Sequence, residues 1–339
     1  MRVLLGMSGG VDSAYSAERL RREGHEVEGA VLVMHGHTEL DAARAASREL
    51  GMKLHEIDVS ELFERTVVAD FIREYRHGRT PNPCILCNSA VKFAALFSYA
   101  TENGFDRIAT GHYARILEQD GRYSVLRGLD PKKDQSYVLW RLEQGVLEKL
   151  MLPLGDLVKE EVKNDADRIG LSSAKRGESR DICFVPDGDY AAFLERRCGS
   201  FPEGEFVSED GRVLGVHRGI HRYTVGQRRG LGVALGERMY VKAIDPERSR
   251  VVLAPAGDAS VTEFLLRDPV FSGAKPLQNG ECLRAEVSLR YQARTAPARL
   301  FCEDGVLRVL LDEPRHAVTA GQSAVFYDGD RVLLGGIIG

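Results

Sequence analysis

The fold of this 339-residue chain is constrained most strongly by the segment Met7-Ser8-Gly9-Gly10-Val11-Asp12-Ser13. It follows the apolar run 3–5, which predicts a short buried strand, and it opens a helical pattern that reaches about residue 22. The first amides of a helix have no intrahelical partner, and the helix dipole adds partial positive charge there. Gly9 and Gly10 let a ligand approach the backbone, and Ser8 and Ser13 add hydroxyl donors. The segment therefore predicts a phosphate cradle at a strand-to-helix turn.

The cradle differs from the usual nucleotide loop, because no Gly-Lys-Ser/Thr follows its glycines. The pattern Ser-Gly-Gly-x-Asp-Ser after a first strand resembles instead the PP-loop of enzymes that split ATP into AMP and pyrophosphate. The alternative interpretation is a glycine-rich turn that binds nothing.

Strand and helix patterns alternate along the first half of the chain. The predicted strands lie at 3–5, 27–33, 54–59 and 107–110. The predicted helices lie at 13–23, 39–50, 61–75 and 89–103. This alternation indicates a parallel sheet with helices on both faces, whose ligands bind at the carboxyl ends of the strands. The cradle lies at such an end.

The pattern changes twice in the second half. Residues 154–198 carry helical patterns at 158–169 and 190–197 around a polar segment, 173–181. From about residue 206, short strands alternate with turns such as Asp210-Gly211, Asp304-Gly305 and Asp328-Gly329. Such strands without helices indicate an antiparallel barrel or sandwich. We predict an α/β chain with a parallel-sheet PP-loop domain (1–153), a small, mostly helical central domain (154–204) and a C-terminal antiparallel β-barrel (205–339).

Cysteine usage and charge suggest where the chain works. Six cysteines are too few for a disulfide scaffold at this length, so a reducing compartment is expected. No apolar run approaches the length of a membrane span, and the first residues predict a strand rather than a signal peptide. We expect a cytoplasmic protein without membrane contact. The net charge of −4 argues against indiscriminate nucleic-acid binding but allows a local basic surface.

Two loops carry cysteines in settings that suit sulfur chemistry. The first is Thr80-Pro81-Asn82-Pro83-Cys84-Ile85-Leu86-Cys87-Asn88, with a helix predicted from about residue 89. Cys87 would then lie just before a helix N-terminus, whose partial positive charge favours the thiolate. Cys183 lies in the middle region near Arg176 and Arg180. Accessible thiolates in basic surroundings suit persulfide formation and release.

The cysteine pattern has other interpretations. Cys-x-x-Cys is often half of a zinc site, but no second pair follows and no suitable histidine pair accompanies it. A redox pair needs a thioredoxin-like setting, which the phosphate cradle contradicts. Cys198, Cys282 and Cys302 fall in helical or strand patterns and are predicted to be buried fillers.

Seven motifs together resemble the bacterial tRNA-specific 2-thiouridylase family from end to end. They are the cradle, Asn-Pro-x-Ile-Leu-Cys-Asn at 82–88, Ala-Thr-Gly-His-Tyr at 109–113, Leu-Asp-x-x-Lys-Asp-Gln-Ser-Tyr at 129–137, Ile-Cys-Phe at 182–184, Thr-Val-Gly-Gln-Arg-Arg-Gly-Leu-Gly at 224–232 and Gly-Gln-Ser-Ala-Val-Phe-Tyr at 321–327. The resemblance implies a tRNA-uridine 2-sulfurtransferase that converts the wobble uridine of certain tRNAs to 2-thiouridine. ATP, with Mg²⁺, would adenylate the C2 oxygen, and a sulfur nucleophile would displace AMP.

The resemblance also implies roles for residues by position. Cys183 would carry a persulfide and Cys87 would attack or release it, with sulfur from a cysteine desulfurase, directly or through a relay protein. The residues implied to bind ATP are Gly6, Met7, Ser8, Gly9, Gly10, Val11, Asp12, Ser13, Leu32 and Gly111. Those implied to approach the target base are Asn82, Pro83 and Cys84. Those implied to meet the tRNA are His112, Lys133, Asp134, Gln135, Arg290, Tyr291 and Gln322.

The chain departs from the family pattern in two places. It has Cys84 where the common form has an aspartate with an acid/base role. Cys84, Cys87 and Cys183 therefore resemble the three thiolates that hold a [4Fe–4S] cluster in related tRNA thiolases. Cluster-bound hydrosulfide and a cysteine persulfide are alternative sulfur carriers at this stage. Residues 34–40 are short where the common form has an acidic insertion, so direct and relayed delivery of sulfur are both open.

A basic stretch predicts that the C-terminal barrel binds tRNA. Residues 217–230 contain four arginines, two histidines and no acidic residue. With Tyr223 among the arginines, the stretch suits phosphate contact and base stacking. A smaller basic patch lies at 290–294. The wobble base must be splayed out of the anticodon stack to reach the cradle.

Two functions of other classes stay open. A small-molecule PP-loop ligase would use the same adenylation but would not need Cys87 and Cys183. A non-catalytic RNA-binding protein on a retired nucleotide fold would not need an intact cradle with Asp12.

Overall fold

The computed structural model describes residues 1–175, 182–233 and 237–339. The strands are β1 Arg2–Gly6, β2 Glu26–Val33, β3 Leu54–Asp58, β4 Arg107–Ala109, β5 Ala114–Gln119, β6 Arg122–Arg127, β7 Leu150–Met151, β8 Gly204–Val207, β9 Val213–His217, β10 Met239–Asp245, β11 Arg250–Pro255, β12 Ser260–Val270, β13 Cys282–Ser288, β14 Ala296–Glu303, β15 Val306–His316, β16 Ser323–Asp328 and β17 Arg331–Ile338. The helices are α1 Val11–Arg22, α2 Leu40–Glu49, α3 Ser60–Phe63, α4 Ala69–Arg76, α5 Pro83–Cys87, α6 Ala94–Glu102, α7 Gln144–Lys149, α8 Lys159–Arg168 and α9 Tyr190–Cys198. The π turns Glu64–Val68 and Asn88–Phe93 join α3 to α4 and α5 to α6.

A parallel sheet forms the N-terminal half, with the strand order β3-β2-β1-β4-β7. Each of its neighbouring pairs is parallel. Val3, Leu4 and Leu5 of β1 are fully buried, as expected for a central strand of a covered parallel sheet. The four strands predicted in this half are confirmed to within one residue at each end.

The helix that carries Cys87 begins earlier than predicted. We expected its start near residue 89, but the helical run begins at Pro83. The Asn82 side chain accepts a hydrogen bond from the Cys84 amide at 3.2 Å. Asparagine at the cap followed by proline is a favourable helix start. Cys87 therefore lies inside the helix, and the amino end of the helix is at Cys84.

The helical run Pro83–Glu102 also corrects the expectation that no segment has the length of a membrane span. By length and composition alone it is long and apolar enough to cross a membrane. Its side chains Ile85, Val91, Phe93 and Leu96 are at most 2% exposed, because they pack into the protein core. Packing inside the protein accounts for the apolar composition of this helix.

A hairpin that we did not predict follows β4. Strands β5 and β6 pair through the turn Asp120-Gly121, where φ is 53° and 71°. Positive φ at both turn positions is typical of a type I′ hairpin. Leu126 of β6 pairs with Arg331 of β17, so this hairpin extends the C-terminal sheet and not the parallel one.

The middle region is helical, with α8 and α9 at the two predicted positions. The C-terminal strands form two sheets. Strands β8 to β11 make a small sheet, and β12 to β17 close into a six-stranded antiparallel barrel through the β12–β17 pair. The Asp-Gly turns at 210–211 and 304–305 lie between the paired strands β8–β9 and β14–β15. Between β16 and β17 the turn is one residue later than predicted, because Asp328 ends β16 and pairs with Arg331. The predicted barrel is confirmed, and the small sheet beside it is an addition.

One apolar cluster joins the three parts of the chain. It includes Phe63 and Phe71 of the N-terminal half, Phe184 and Leu194 of the middle region and Val325 of the barrel. The loop that carries Cys183 is therefore anchored against the parallel-sheet half by its neighbour Phe184.

Candidate active site

The glycine-rich turn after β1 has the geometry of an anion site. Gly9 has a φ of 79°, and a Cβ there would lie 2.4 Å from the carbonyl carbon of Ala42, so glycine is required. Helix α1 begins at Val11, and no side chain caps its first amides. The Ser13 hydroxyl donates to the Gly10 carbonyl at 3.0 Å and thereby braces the turn. The first amides of α1 remain available to a phosphate.

The residues expected to bind ATP lie at the carboxyl ends of three adjacent strands. Gly6 to Ser13 end and follow β1, Leu32 lies near the end of β2, and Gly111 follows β4. These strands are neighbours in the order β2-β1-β4. A Cβ on Gly111 would lie 3.0 Å from the carbonyl carbon of Asp12, so this glycine lets the β4 loop pack directly on the cradle. The predicted set is brought together, and its contact with ATP stays a prediction.

Asp12 is held by two residues that the sequence did not single out. The Lys159 ammonium lies 2.6 and 2.7 Å from the two carboxylate oxygens of Asp12. The Tyr113 hydroxyl donates to Asp12 Oδ1 at 2.7 Å. Lys159 is the first residue of α8, and its side chain is only 6% exposed. The pair is separated by 147 residues along the chain, so no local pattern could reveal it.

Cys87 is buried, and its thiol donates to Met34 Sδ at 3.8 Å. Burial raises the pKa of Cys87 to about 11, against the opposing charge of Lys92. The expectation that the helix dipole favours the Cys87 thiolate is therefore wrong, because the residue lies inside the helix and loss of hydration dominates. Cys84, at the helix start, is exposed.

Cys183 is exposed and lies close enough to Cys84 and Cys87 for their charges to interact. Partial loss of hydration raises the pKa of Cys183, and the charge of Lys92 opposes this effect. The Phe184 ring packs 5.5 Å from that of Phe63. The two cysteine-bearing segments thus pack against the same part of the N-terminal half. Arg176 and Arg180, the expected basic neighbours, lie outside the described residues.

Lys92 is a second functional candidate that the sequence did not reveal. It follows Cys87 by five residues across the π turn Asn88–Phe93, and a π turn bonds the backbones of residues five apart. Burial and the charge of Lys92 lower the pKa of His112 to about 3. The adjacent Phe93 ring lies 5.7 Å from the His112 ring. His112, expected to meet the tRNA, is therefore a neutral imidazole that cannot neutralise a phosphate.

Among residues 1–175, 182–233 and 237–339, no group of three or more His, Cys, Asp and Glu side chains is arranged to hold a metal ion. Cys84, Cys87 and Cys183 share a region without forming the three-thiolate set that a cluster needs. The Cys87 thiol is directed to Met34 instead. A [4Fe–4S] cluster on Cys84, Cys87 and Cys183 therefore stays a prediction.

The remaining cysteines differ in burial. Cys302 is buried in the barrel, and Cys198 is partly buried with its thiol donating to the Leu194 carbonyl. Cys282, at the start of β13, is exposed, so the expectation of burial is wrong there. Its position falls on the outward side of an alternating strand.

Several residues expected to meet the tRNA have partners within the protein. Gln135 Oε1 accepts from the Tyr113 amide at 2.8 Å, and Asp134 Oδ1 accepts from the Ser136 amide at 3.0 Å. Gln322 donates to the Thr80 carbonyl at 2.7 Å and so holds the loop that leads to Asn82. Lys133 is partly buried, whereas Arg290 and Tyr291 are exposed. Their contacts with tRNA stay predictions.

A cavity of 340 Å³ lies between the segment after β6 and the barrel, lined in part by Arg127, Asp134, Tyr137, Tyr291 and Tyr327. The Arg127 guanidinium stacks 3.8 Å from the Tyr327 ring centre. The Asn88 side chain donates to the Val138 carbonyl at 3.0 Å, next to Tyr137 in the cavity wall, so the cavity adjoins the segment 80–88 that carries Cys84 and Cys87. Its size and aromatic walls suit a splayed nucleobase.

The basic stretch 217–230 is only partly a surface. Tyr223 is buried, and its ring packs 5.0 Å from Phe206, so the expectation that it stacks on a base is wrong. His217 and His221 are buried, and burial lowers the pKa of both. Arg222 pairs with Glu195 at 2.6 Å. The exposed cations of the stretch are Arg218, Arg228 and Arg229.

The chain matches three family models in succession. Residues 1–187 match a model described as the tRNA methyl transferase HUP domain, and residues 191–255 match the tRNA methyl transferase PRC-barrel domain. Residues 261–338 match the Aminomethyltransferase beta-barrel domain. The second and third ranges correspond to the small sheet and to the closed barrel.

Curated relatives match over nearly the whole chain. The tRNA-specific 2-thiouridylase MnmA of Desulforudis audaxviator is 45% identical over 340 residues, 99% of this chain and 98% of the relative. That of Syntrophotalea carbinolica is 43% identical, with coverage of 99% and 98%. Among solved structures, a 4-thiouridine synthetase–RNA complex with bound ATP is 20% identical with a TM-score of 0.39, over 57% of this chain and 50% of that chain.

Proposed function

Since the chain belongs to the tRNA-specific 2-thiouridylase (MnmA) family, we propose that it thiolates the wobble uridine of tRNA with ATP and that Cys183 and Cys87 carry the sulfur. One observation supports the proposal most: the Cys87 thiol contacts Met34 at the carboxyl end of β2, the strand next to the cradle strand β1, and Cys183 is among the groups whose charge acts on Cys87. A small-molecule ligase has no use for these thiols, and an RNA-binding module has no use for the cradle.

The first step is adenylation of the uridine. The C2 oxygen attacks the α-phosphorus of ATP, and the bond to pyrophosphate breaks. The cradle from Ser8 to Ser13 binds the departing pyrophosphate through the first amides of α1. Mg²⁺, when bound, would neutralise phosphate charge, and Asp12 in the first turn of α1 is the carboxylate placed to hold it.

The second step is sulfur transfer. Cys183, the exposed thiol, receives a sulfur atom as a persulfide, whose terminal sulfur attacks C2 and displaces AMP together with the former C2 oxygen. The Cys87 thiolate then attacks Cys183 Sγ. This releases 2-thiouridine and leaves a Cys87–Cys183 disulfide, which an external dithiol reduces before the next turnover.

The proposal also covers the sulfur donor, the cellular compartment and the position of the target base. The exposed position of Cys183 suits transfer from a protein persulfide, so a cysteine desulfurase or its relay protein is the proposed donor. Free thiols in the working cycle favour the reducing cytoplasm. The cavity beside Tyr291 and Asp134 is the proposed position of the splayed wobble base.

Substitution of the thiols tests the proposal. Purified protein with ATP, Mg²⁺, a cysteine desulfurase, cysteine and tRNA transcript is assayed for 2-thiouridine by mass spectrometry of nucleosides. Cys87→Ser and Cys183→Ser should abolish 2-thiouridine and leave tRNA affinity near the wild-type value. Cys282→Ser, which removes an exposed thiol on the barrel, is the matched control and should stay active.

Measurements of nucleosides, of bound iron and sulfide, and of released AMP separate the alternatives. Retained thiolation in Cys87→Ser or Cys183→Ser contradicts the thiol assignment. Iron and acid-labile sulfide bound stoichiometrically to protein purified without oxygen would overturn the persulfide route in favour of a cluster. A methylated rather than a sulfur-containing nucleoside would support the methyl transferase description instead. Release of AMP with small acids but not with tRNA would support a ligase.

A further inference from the structure

The cradle has no cation of its own. No lysine or arginine occurs in residues 3–18, although pyrophosphate carries several negative charges. Helix amides and the helix dipole supply only partial charge. Nucleotide loops of the commoner type solve this problem with a lysine at the end of the loop. A cation from another part of the fold would therefore complement these amides near α1.

Lys159 lies where such a cation is needed. Its ammonium contacts both carboxylate oxygens of Asp12, which is in the first turn of α1 beside the amides that form the cradle. The Lys159 backbone is fixed as well, because its amide donates to Asp130 Oδ2 at 3.1 Å. The side chain is buried, so the charge is shielded from bulk water and acts strongly on near neighbours.

Helix α8 is locked onto α1 along its length. The Tyr15 hydroxyl donates to Asp165 Oδ2 at 3.0 Å, and Arg19 makes two bonds to Asp156, just before α8, at 2.8 and 2.9 Å. The two helices therefore hold Lys159 at the start of α1. The Asp12–Lys159 pair keeps the ammonium neutralised in the ligand-free cradle.

We propose that Lys159 is the phosphate-binding lysine of this cradle, supplied by α8 instead of by the loop. When pyrophosphate or the ATP phosphates enter, Lys159 exchanges one or both Asp12 oxygens for phosphate oxygens, and Asp12 becomes free to hold a divalent cation. The inference rests on the proposed use of ATP. It also explains why the loop itself dispenses with a lysine.

Binding of pyrophosphate in EDTA tests the exchange without turnover. In isothermal titration calorimetry, Lys159→Met should weaken pyrophosphate binding at least about tenfold, because it removes a charge-assisted hydrogen bond to the phosphate. Asp12→Asn should bind pyrophosphate several-fold more tightly, because the competing carboxylate is gone. Lys159→Arg should recover part of the affinity. Lys149→Met, which removes an ammonium that lies over Phe97, is the control and should bind as the wild type does.

Two outcomes would overturn the inference. If Lys159→Met binds pyrophosphate as tightly as the wild type, Lys159 has only a structural role, and the proposed thiolation is unaffected. If the wild type binds neither pyrophosphate nor Mg·ATP, the use of ATP fails and the inference fails with it. Should Lys159→Met not fold, the double variant Asp12→Asn/Lys159→Gln removes both charges of the Asp12–Lys159 pair, and its affinity should fall well below that of Asp12→Asn alone.

Discussion

At the scale of single residues, Cys87 shows how burial outweighs a helix dipole. A dipole effect of about 0.3–1 kcal/mol moves a pKa by less than one unit. Full burial moves a pKa by up to about 3–5 units. Cys87 follows burial, with its pKa raised to about 11, and Lys92 supplies the opposing charge. The thiolate needed for catalysis is therefore scarce at neutral pH.

We expect the release of 2-thiouridine to accelerate with pH between 7 and 9. Below its pKa, the thiolate fraction of Cys87 rises about tenfold for each pH unit. Single-turnover 2-thiouridine formation, with Cys183 preloaded as persulfide, measures this rate. Lys92→Met should slow the reaction at every pH in this range, because loss of the cation raises the thiol pKa further, whereas Lys92→Arg should preserve it. A rate that is flat from pH 7 to 9 would contradict thiolate attack by Cys87.

At the scale of secondary-structure elements, the helical run from Pro83 positions the chemistry. Cys87 contacts Met34 after β2, and Phe93 contacts His112 after β4. Strand β1 and its cradle lie between β2 and β4 in the sheet. The segment from Cys87 to Phe93 therefore crosses the edge of the sheet at the cradle, and Lys92 lies on this crossing.

Removal of the Asn82 cap should destabilise the first turn of the helical run that begins at Pro83. Asn82→Ala removes the acceptor of the Cys84 amide, a change that destabilises a helix by about 1 kcal/mol. Hydrogen exchange of a peptide covering residues 83–88 should become faster, and thiolation should slow. Asn82→Asp retains a capping oxygen and adds a favourable charge at the helix N-terminus, so its exchange should match the wild type. Equal exchange in Asn82→Ala and wild type would show that the cap does not hold the loop.

The elements also show what a sequence can reveal. The strands of the parallel sheet follow from local apolar runs, and the cradle follows from its glycines. The turn Asp120-Gly121 has the same Asp-Gly pattern as the three turns from which we predicted hairpins, so the β5–β6 hairpin could have been predicted. Its pairing with β17 could not, because β17 lies about 200 residues later in the chain. Lys159 and Asp12 likewise meet only in the folded chain. The helix start was predicted too late, near residue 89, because a sequence does not distinguish a proline that precedes a helix from one at its first position, as Pro83 is.

At the scale of the whole molecule, the C-terminal sheets hold the segment 80–88, which carries Cys84 and Cys87. The Thr80 amide donates to the Ala320 carbonyl at 2.9 Å, and Gln322 donates to the Thr80 carbonyl. The Thr80 hydroxyl lies 3.1 Å from that of Thr224, beside the small sheet. Binding of tRNA by the C-terminal region would therefore act directly on the segment that leads to Cys84 and Cys87.

The exposed arginines of this region should bind tRNA phosphates. Arg228→Ala/Arg229→Ala should weaken tRNA binding and reduce the salt dependence of the affinity by about 0.7–0.9 in slope for each phosphate that the variant no longer neutralises. Binding measured over a range of salt concentrations checks this. Arg168→Ala, which removes an exposed arginine paired with Asp165, is the control. An unchanged slope in the double variant would place the tRNA on another surface.

Glu74 links the N-terminal half to the barrel through ion pairs in which only its own carboxylate is buried. It lies on α4 with its side chain 8% exposed, and it accepts two hydrogen bonds from Arg79 at 2.7 Å. Arg267 of β12 lies 3.5 Å away. Burial by itself would raise the pKa of Glu74, but the bonds from Arg79 and the charges of the arginines bring it below its ordinary value of 4.5. The charged form is therefore stabilised by folding.

This depressed pKa predicts a loss of stability in acid. The contribution of Glu74 is fully present above the unfolded pKa near 4.5 and is lost as the pH falls through the lower folded value. Glu74→Gln should destabilise the protein by about 1.5–3 kcal/mol at pH 7, because it removes the charge-assisted hydrogen bonds between the buried carboxylate and the partly exposed Arg79. The difference from the wild type in urea unfolding should begin to narrow below about pH 4.5, where the unfolded carboxyl takes up a proton, and should close as the pH falls through the lower folded pKa. Exposed Glu61→Gln should show no such pH-dependent difference. If the difference in unfolding free energy between Glu74→Gln and the wild type stays constant from pH 7 to 3, packing and not the ion pair joins α4 to the barrel.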